Sequence, residues 1–368
     1  MTAEFKLFFD NTPATEEQLG LFRTIQVDQG IGMVTEAELE MELRLDDNGT
    51  WVDFAESFTE PFSRIRIEIK IGDGDFVPLI DGPLVSQRMT MSASPNASRL
   101  TLVVHDDSVL LNQLESVSVF EELAASDIAE ILFSDAGLQP QVDTTPAAGG
   151  SLERAIVQRG TPMQLLRELA RRHGMVLRVM PGTTPGVSIG VFAAFNLDDV
   201  DLPELLVTGD KRNLDQINID FDGLRPFAAI ASTVDAGSLE VLQSEAQQSS
   251  QTTLGDEAAH IIVEPAQVLM ARTRETASDL DAAVAAAADT ASWAFSATGE
   301  VDSATYPAVL QPYATVSLAG AGPMSGRYLI AQVNHMIDDQ TYRQQFTLRR
   351  NARSVVGGAG GGLPGGVF

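Results

Sequence analysis

Residues 326–348 read Gly-Arg-Tyr-Leu-Ile-Ala-Gln-Val-Asn-His-Met-Ile-Asp-Asp-Gln-Thr-Tyr-Arg-Gln-Gln-Phe-Thr-Leu, two alternating runs around the polar turn Asp338-Asp339-Gln340. Residues 82–102 repeat this pattern, with Gly-Pro-Leu-Val-Ser-Gln-Arg-Met-Thr-Met-Ser, a polar turn around Pro95-Asn96 and a run ending Leu100-Thr101-Leu102. An alternating strand precedes each copy, from Ile65 to Ile71 in the first and around Val316 and Leu318 in the second. The sequence therefore predicts the same strand, glycine turn and hairpin in both halves. Such a repeat is more typical of a structural subunit in a symmetric assembly than of an enzyme with a catalytic pocket.

The predicted fold class is α+β and mainly β, with two similar small β-barrel (tube-like) domains. The first covers residues 1–110, where the run from Leu39 to Leu45 alternates with the period of two that is typical of half-buried strands. The second combines residues 201–240 with residues 305–350. The short strands and turn residues in both ranges favour a sandwich or barrel.

Two insertions and a tail complete the predicted organisation. Residues 111–200 predict an α/β insert with two helices, one capped by Ser126 and one that begins after Thr161 and ends at Gly174. Residues 241–304 predict a loop and an alanine-rich helix over residues 278–297. Residues 351–368 are rich in glycine and predict a flexible tail.

The composition sets limits on function. The chain has 51 acidic and 24 basic residues and a net charge of −27, so we expect neither stable nucleic-acid binding nor attraction to anionic membranes. A salt-adapted or GC-rich source explains this charge as well as a surface that avoids an anionic partner does. We expect no membrane insertion and no signal peptide, because the sequence has neither a long apolar run nor a basic and apolar N-terminus. The absence of cysteine excludes disulfides and thiolate chemistry.

The sequence contains no recognisable set of catalytic residues, which predicts that the protein is not an enzyme. The four histidines are scattered, with His173 read as a helix C-terminal residue and His335 as a strand residue. No phosphate-binding loop, dinucleotide fingerprint, nucleophile elbow or complete calcium loop is present. We therefore expect no catalytic residues, no cofactor and no metal. Two alternatives remain open, an acidic β-rich hydrolase with an unrecognised carboxylate site and a standalone carbohydrate- or protein-binding β module.

Two stretches, together with the alanine-rich helix that precedes the second of them, resemble one known family. The run Val157-Gln158-Arg159-Gly160-Thr161-Pro162, continuing through Leu165 to Ala170 and His173-Gly174-Met175, resembles an element of phage late control gene D proteins and of the VgrG N-terminal region. The run from Ser325 to His335, followed by Tyr342, Phe346 and Arg349-Arg350-Asn351, resembles the closing motif of the same family.

The resemblance implies a baseplate hub of a phage tail, a tailocin or another contractile injection system. Such hubs are homotrimers in which two barrel-like domains per subunit give six similar units around a pore. The implied partners are the inner tube protein, a trimeric spike, other baseplate proteins and a tape-measure protein in the pore. Because VgrG continues into a spike and this sequence stops after a glycine run, we expect a separate spike protein. The implied location is cytoplasmic assembly followed by incorporation into the virion tail or injection particle.

Two further hypotheses concern the tail and the charge. Leu363, Pro364, Val367 and Phe368 follow the glycine run, and we expect them to dock on the spike, ordering a segment that is disordered in the free protein. A frayed terminus without a partner is the alternative. We also expect part of the acidic surplus to line the pore, where it would keep DNA or an effector from sticking. Self-repulsion on the outer surface is the alternative explanation of that charge.

Overall fold

The computed structural model describes residues 2–44, 48, 51, 56–94, 97–146, 155–197, 202–234, 239–271, 277–338 and 341–355. The predicted turns at Pro95-Asn96 and Asp339-Gln340, and the tail residues Leu363, Pro364, Val367 and Phe368, lie outside these ranges. In the first part of the chain the elements are β1 Ala3–Phe9, β2 Thr12–Pro13, α1 Glu16–Leu19, β3 Phe22–Gly30, β4 Glu36–Glu42, β5 Arg64–Ile71, β6 Val77–Thr90 and β7 Arg99–His105.

The middle of the chain contains β8 Ser116–Glu121, α2 Ala125–Asp135, β9 Gln139–Val142, β10 Ala155–Gly160, α3 Pro162–His173, β11 Met175–Pro181 and β12 Ser188–Ala194. The last part contains β13 Leu205–Leu206, β14 Ile217–Phe221, β15 Phe227–Val234, β16 Val241–Ala246, β17 Glu257–Ala258, α4 Ala259–Ile262, β18 Ala266–Ala271, α5 Ala277–Ala291, β19 Phe295–Asp302, β20 Thr315–Ala319, β21 Gly326–Asp338, β22 Tyr342–Arg350 and β23 Ala352–Arg353. Short 3₁₀ turns lie at Ser57–Thr59, Asp107–Asn112 and Gly322–Met324.

One large sheet joins both halves of the chain. Among the described strands its order is β14-β19-β22-β21-β3-β4-β7-β6-β5-β1-β2, with β20 beside β21 and β13 beside β20. The strands β3-β4-β7-β6-β5-β1 form the first unit, and β14-β19-β22-β21-β20-β13 form the second unit. The two units meet where β21 pairs antiparallel with β3.

Each unit has its own core. Leu7, Leu39, Ile65, Ile67 and Leu102 lie in the core of the first unit, and each is almost completely buried. The core of the second unit is lined by Ala297, Val316, Ile330, Phe346, Leu348 and neighbouring side chains. The strand alternation in the sequence produces both cores, because every second residue of a strand points to the same face of the sheet.

The middle of the chain packs beside the first unit. There α2 and α3 cover a three-stranded sheet of β11, β12 and β9, with Ile128, Phe133, Leu166 and Phe192 in the core between them. Thr161 caps α3 as predicted, since its hydroxyl accepts from the Gln164 amide, and Gly174 ends the helix in the left-handed conformation at φ 64°. The prediction that Ser126 caps α2 is wrong. Ala124 occupies the cap position, and the Asp127 carboxylate accepts from its backbone amide.

A buried ionic cluster fixes this middle region to the first unit. Arg64 and Arg66 of β5 flank Asp81 of β6, at 2.6 Å and 3.0 Å from its carboxylate oxygens. Arg66 also donates to the carbonyl of Gly182, and the Gly186 amide donates to Asp81, each over 2.9 Å. The loop between β11 and β12 therefore supplies hydrogen-bond partners to the charged groups buried in the first unit. These contacts make the attachment of the middle region to the first unit specific.

A second helical layer lies on a small sheet of β16, β15 and β18, which α5 covers through Leu280 and Val284. The prediction that the alanine-rich helix continues to residue 297 is wrong, because α5 ends at Ala291 and Phe295–Asp302 form a strand of the large sheet. Alanine favours helix strongly, but Phe295 is buried against Ala259 and Ala294, and this tertiary burial overrides local propensity.

The prediction of a mainly β, α+β chain is confirmed. The large sheet follows an open path, so no closed barrel is formed among the described strands. The division of the chain at residues 110, 200, 240, 304 and 350 stays a prediction. In the part of the chain that the structure describes, no helix is both long enough and apolar enough to cross a membrane.

Candidate functional surface

The two units have the same strand register. In each of them a row of four apolar residues crosses four neighbouring strands. The rows are Val27, Ala37, Val104 and Leu84 in the first unit, and Ile219, Ala297, Leu348 and Ile330 in the second. A one-residue slip would turn every side chain of a strand to the other face, so two matching registers of this length indicate one repeated design.

The repeat also includes a β-bulge, an irregularity that is not needed to form a hairpin. The long strand of each unit contains a β-bulge, between Leu84 and Ser86 in β6 and between Ile330 and Gln332 in β21. At each bulge an aromatic residue with positive φ donates its amide to the carbonyl before the bulge. Phe62 (φ 64°) does so to Leu84 over 2.9 Å, and Tyr313 (φ 73°) does so to Ile330 over 3.0 Å. Bulges redirect a strand, so both units bend at the same place.

The predicted correspondence of Gly82 with Gly326 is wrong by two residues. Ile65 pairs with Gly82 and its counterpart Val316 pairs with Tyr328, so Tyr328 corresponds to Gly82. Gly82 is also not in a turn but inside β6, where a Cβ atom would lie 1.9 Å from the carbonyl oxygen of His105. The glycine allows this close approach between strands. The preceding strands and the hairpins themselves are placed correctly, with β5-β6-β7 corresponding to β20-β21-β22.

A buried hydrogen-bond chain lies where β21 meets β3. Because the Gln29 amide nitrogen donates to the Leu79 carbonyl over 2.7 Å, its oxygen is free to accept from His335 Nε2 at 3.0 Å. The neutral imidazole then accepts from the Tyr342 hydroxyl at its Nδ1, at 2.8 Å. Burial lowers the pKa of His335 to about 3. This histidine is a strand residue, as predicted, and its contacts hold the two units together.

A polar face, interrupted by Met336 and Val103, covers the other side of the sheet. In β4 the residues Ala37, Leu39 and Met41 point into the core, while Glu36, Glu38, Glu40 and Glu42 point to the polar face. The strand registers continue this face through Asn218, Asp220, Thr298, Glu300, Gln345, Thr347, Gln332, Asn334, Gln26, Asp28, Thr101 and Arg88.

Arginines offset only part of the acidic charge of the polar face. Arg88 pairs with Glu38, and Arg99 lies 3.6 Å from Glu40 and 3.9 Å from Glu42. Asp28 instead accepts from the amides of Gln26 and Asn334, and Glu300 accepts from Gln345. The face can repel a polyanion and can offer many hydrogen-bond acceptors to a polar partner.

The structure brings together no chemical site from the residues considered in the sequence analysis. His173 ends α3, His105 contacts Glu36 on the polar face at 2.8 Å, and His335 lies in the core. Among the described residues no group of three or more His, Cys, Asp or Glu side chains is placed to hold a metal ion. The candidate docking residues of the tail lie outside the described ranges.

Two exposed strand edges were not predicted from the sequence. Met89 and Met91, at and just beyond the end of β6, are 50% and 53% exposed, and Phe221 of β14 is 38% exposed. The signal was present in the sequence, since these apolar residues continue the alternation of their strands toward a core that the chain itself does not provide there.

Comparison with known proteins identifies the fold. The chain superposes on the 43 kDa tail protein of prophage MuSo2 from Shewanella oneidensis with a TM-score of 0.63 and 16% identity, covering 95% of this chain and 99% of that one. A tail protein from Neisseria meningitidis MC58 gives a TM-score of 0.60 and 14% identity, with 95% and 97% coverage. The E. coli c3393 protein, a component of the type VI secretion system, gives 0.52 and 9%, with 97% and 80% coverage.

At these identities the likeness concerns the fold, which is that of phage tail proteins and of a type VI secretion component. None of the curated proteins matches the sequence. The family described as the Alg8 N-terminal domain matches residues 11–339, which is most of the chain. The chain therefore belongs to the Alg8 N-terminal domain family.

Proposed function

We propose that the chain is a structural, non-enzymatic baseplate hub of a contractile phage tail or contractile injection system, akin to late control gene D proteins and the VgrG N-terminal region. In this role it forms a homotrimer that joins a sixfold inner tube to a trimeric spike. The observation that carries the proposal is the repetition of one arrangement of five strands, β3-β4-β7-β6-β5 and β14-β19-β22-β21-β20, in a single chain. The two arrangements share their strand registers and the bulge in the long strand.

Symmetry connects this repeat to the function. Three copies of a chain with two equivalent units present six similar surfaces around one axis and keep a true threefold axis. Such a ring can match a sixfold partner on one side and a threefold partner on the other. The middle region and the layer under α5 occur once per chain, so in the ring they would provide threefold contacts.

The solved structures that share this fold support a role in a tail. Two of them are tail proteins, and a third is a type VI secretion component that is itself described as structurally similar to bacteriophage tail proteins. For this chain we propose the inner tube protein, a separate spike, other baseplate proteins and a tape-measure segment in the pore as partners. Assembly would take place in the cytoplasm, and the finished location would be the virion tail baseplate or injection particle.

In the proposed ring, the polar face and the C-terminal tail would each have a role. The polar face with its glutamate row would line the pore, so that a passing polyanion is not held. Leu363, Pro364, Val367 and Phe368 would dock on the spike.

Native mass measurement tests the trimer, and co-purification tests the adaptor role. We expect a mass three times that of the 39.4 kDa chain. We also expect the tagged protein to retain both the tube and the spike proteins encoded with it when the three are produced together. A monomer that retains neither would overturn the proposal. Retention of the spike alone would remove the tube-binding role.

A further inference from the structure

In the part of the chain that the structure describes, two strand edges pair with no other strand. Beyond Pro83, β6 pairs only with β7 among the described strands, which leaves its other edge open from Ser86 to Thr90. At the end of the sheet, β19 is the one described strand that pairs with β14, and no described strand pairs with the outer edge of β14 from Ile217 to Phe221. We call these the β6 edge and the β14 edge. Open edges present unpaired backbone amides and carbonyls, and they pair readily with another strand.

The repeat gives each edge a counterpart that is already paired. The rows described above make β6 the equivalent of β21 and β14 the equivalent of β3. Within the chain, β21 and β3 pair with each other, with Gln332 opposite Gly30 and Asp338 opposite Thr24. The contact between the two units is therefore made by the equivalents of the β6 edge and the β14 edge.

Apolar side chains that are buried at the internal junction have exposed or only partly buried counterparts at the β6 edge and the β14 edge. His335 and Ile337 of β21 are 0% and 4% exposed, whereas their counterparts Met89 and Met91 are 50% and 53% exposed. On the other side, Ile25 and Val27 of β3 are buried, whereas their counterparts Ile217 and Ile219 of β14 are only partly buried. Apolar residues at these positions would be covered by the contact that the internal junction makes.

We propose that the β6 edge of one copy pairs antiparallel with the β14 edge of a second copy, in the register of the internal junction. This register places Ser86 opposite Asp222, Gln87 opposite Phe221, Arg88 opposite Asp220, Met89 opposite Ile219, Thr90 opposite Asn218 and Met91 opposite Ile217. The contact is heterologous and leaves one edge of each kind free, so it continues from copy to copy until a ring closes.

Charge complementarity supports this register. At the internal junction Asn334 donates to Asp28. The equivalent pair in the proposed contact is Arg88 with Asp220 of the partner subunit, an arginine opposite a carboxylate. Arg88 already contacts Glu38 of its own chain, but the guanidinium has five N–H donors and can bind a second carboxylate. A shift by one residue would place Arg88 opposite Ile219 or Phe221 and would turn the methionines away from the isoleucines.

The inference rests on the proposed hub function and specifies how its copies are joined. Engineered cysteines test it directly, because the chain has no cysteine of its own. In a double variant with Met89→Cys and Ile219→Cys, paired residues would lie within the 4.4–6.8 Å between Cα atoms that a disulfide spans. Six strands separate the two edges within one chain, so a bridge between them must join two copies.

Oxidation of the Met89→Cys, Ile219→Cys variant should give covalent dimers and closed trimers on a non-reducing gel. The matched control carries Met89→Cys with Asn218→Cys, whose side chain points to the opposite face of β14, and it should stay uncrosslinked. Trimeric native mass without this crosslink would overturn the edge pairing and leave the hub proposal standing. A monomeric native mass of the unmodified chain would overturn the trimer itself.

A charge swap provides a second test that does not depend on oxidation. Arg88→Asp and Asp220→Arg, made separately, should each weaken the trimer by about tenfold or more in dissociation constant, because like charges then face each other. The double swap should recover most of that loss. Circular dichroism and thermal melting of the variants control for folding, since both side chains are exposed in the single chain. A double variant as weak as the single ones would overturn the register.

Discussion

Single residues explain why the two units are held in one orientation. His335 is buried without charge, and its two ring nitrogens are satisfied by Tyr342 and Gln29. Gln29 belongs to the first unit, whereas His335 and Tyr342 belong to the second, so the hydrogen-bond chain crosses the junction. The strand position of His335 was predicted from the sequence. Its partner Gln29 could not be predicted, because it lies 306 positions away in the chain.

The lowered pKa of His335 predicts a loss of stability in acid. Between about pH 6.5 and pH 3 the unfolded chain binds a proton at this residue and the folded chain does not, so the free energy of unfolding falls as the pH falls. The contribution of one such group approaches about 1.4 kcal/mol per pH unit.

Urea unfolding of the wild type and of His335→Gln at pH 7, 6 and 5 checks this prediction. We expect the variant to be less stable at pH 7, because it loses hydrogen bonds, but to lose less stability on acidification. His260→Gln is the matched control, since His260 is half-buried and lies outside the junction. Equal pH slopes for His335→Gln and the wild type would show that other groups cause the acid sensitivity.

At the scale of elements, the sequence predicted the hairpins and helices whose formation depends on residues close together in the chain. The hairpins β6-β7 and β21-β22 and the helix α3 are where the sequence placed them, because alternation, capping residues and a C-terminal glycine all agree. The end of α5 was missed because alanine continues to favour helix until tertiary packing of Phe295 stops it. The bulges and the pairing of β21 with β3 could not be predicted, since both depend on contacts between distant parts of the chain.

The cap of α3 gives a prediction at this scale. Thr161 accepts from the Gln164 amide at its hydroxyl, and the same hydroxyl donates to Asn112 over 2.9 Å. Thr161→Ala should lower the free energy of unfolding by about 1–2 kcal/mol, because it removes both the cap and the hydrogen bond that the hydroxyl donates to Asn112. Thermal or urea unfolding measures the loss, and Thr161→Ser should retain most of the stability. A Ser variant as unstable as the Ala variant would point to the lost methyl group instead.

At the scale of the whole molecule, the acidic polar face predicts a response to salt. Glu36, Glu38, Glu40 and Glu42 lie on one strand and in the proposed ring would occur three times around one pore. Salt screens exposed charges over about 8 Å at physiological ionic strength, so the trimer should gain thermal stability between low and physiological salt. Replacing these four residues with Gln should reduce that gain.

The control for the salt prediction replaces four exposed glutamates away from the polar face, Glu17, Glu121, Glu130 and Glu245, with Gln. Melting temperatures of the three proteins at several salt concentrations separate the two explanations of the charge. If both quadruple variants lose the salt response equally, repulsion is spread over the outer surface and the pore face has no special share.

The proposed role of the tail leads to a deletion experiment. Removing residues 357–368 should abolish co-purification of the spike and leave the trimer and tube binding unchanged, because docking would require the apolar residues Leu363, Pro364, Val367 and Phe368. Replacing those four residues with Ser in the full-length chain is the matched control for length and should have the same effect. Unchanged spike retention in both variants would mean that the tail has no docking role.

The internal junction between β21 and β3 has a consequence for how the particle comes apart. Its two strands belong to one polypeptide, so the chain itself holds them at a high effective concentration, and a hydrogen bond from the uncharged Asn334 amide to Asp28 is sufficient there. The equivalent contact between copies has no such tether, and at that position the sequence supplies an arginine opposite an aspartate. In a ring of six units, three seams are therefore permanent and three depend on concentration. Dilution should release intact two-unit subunits and never single units.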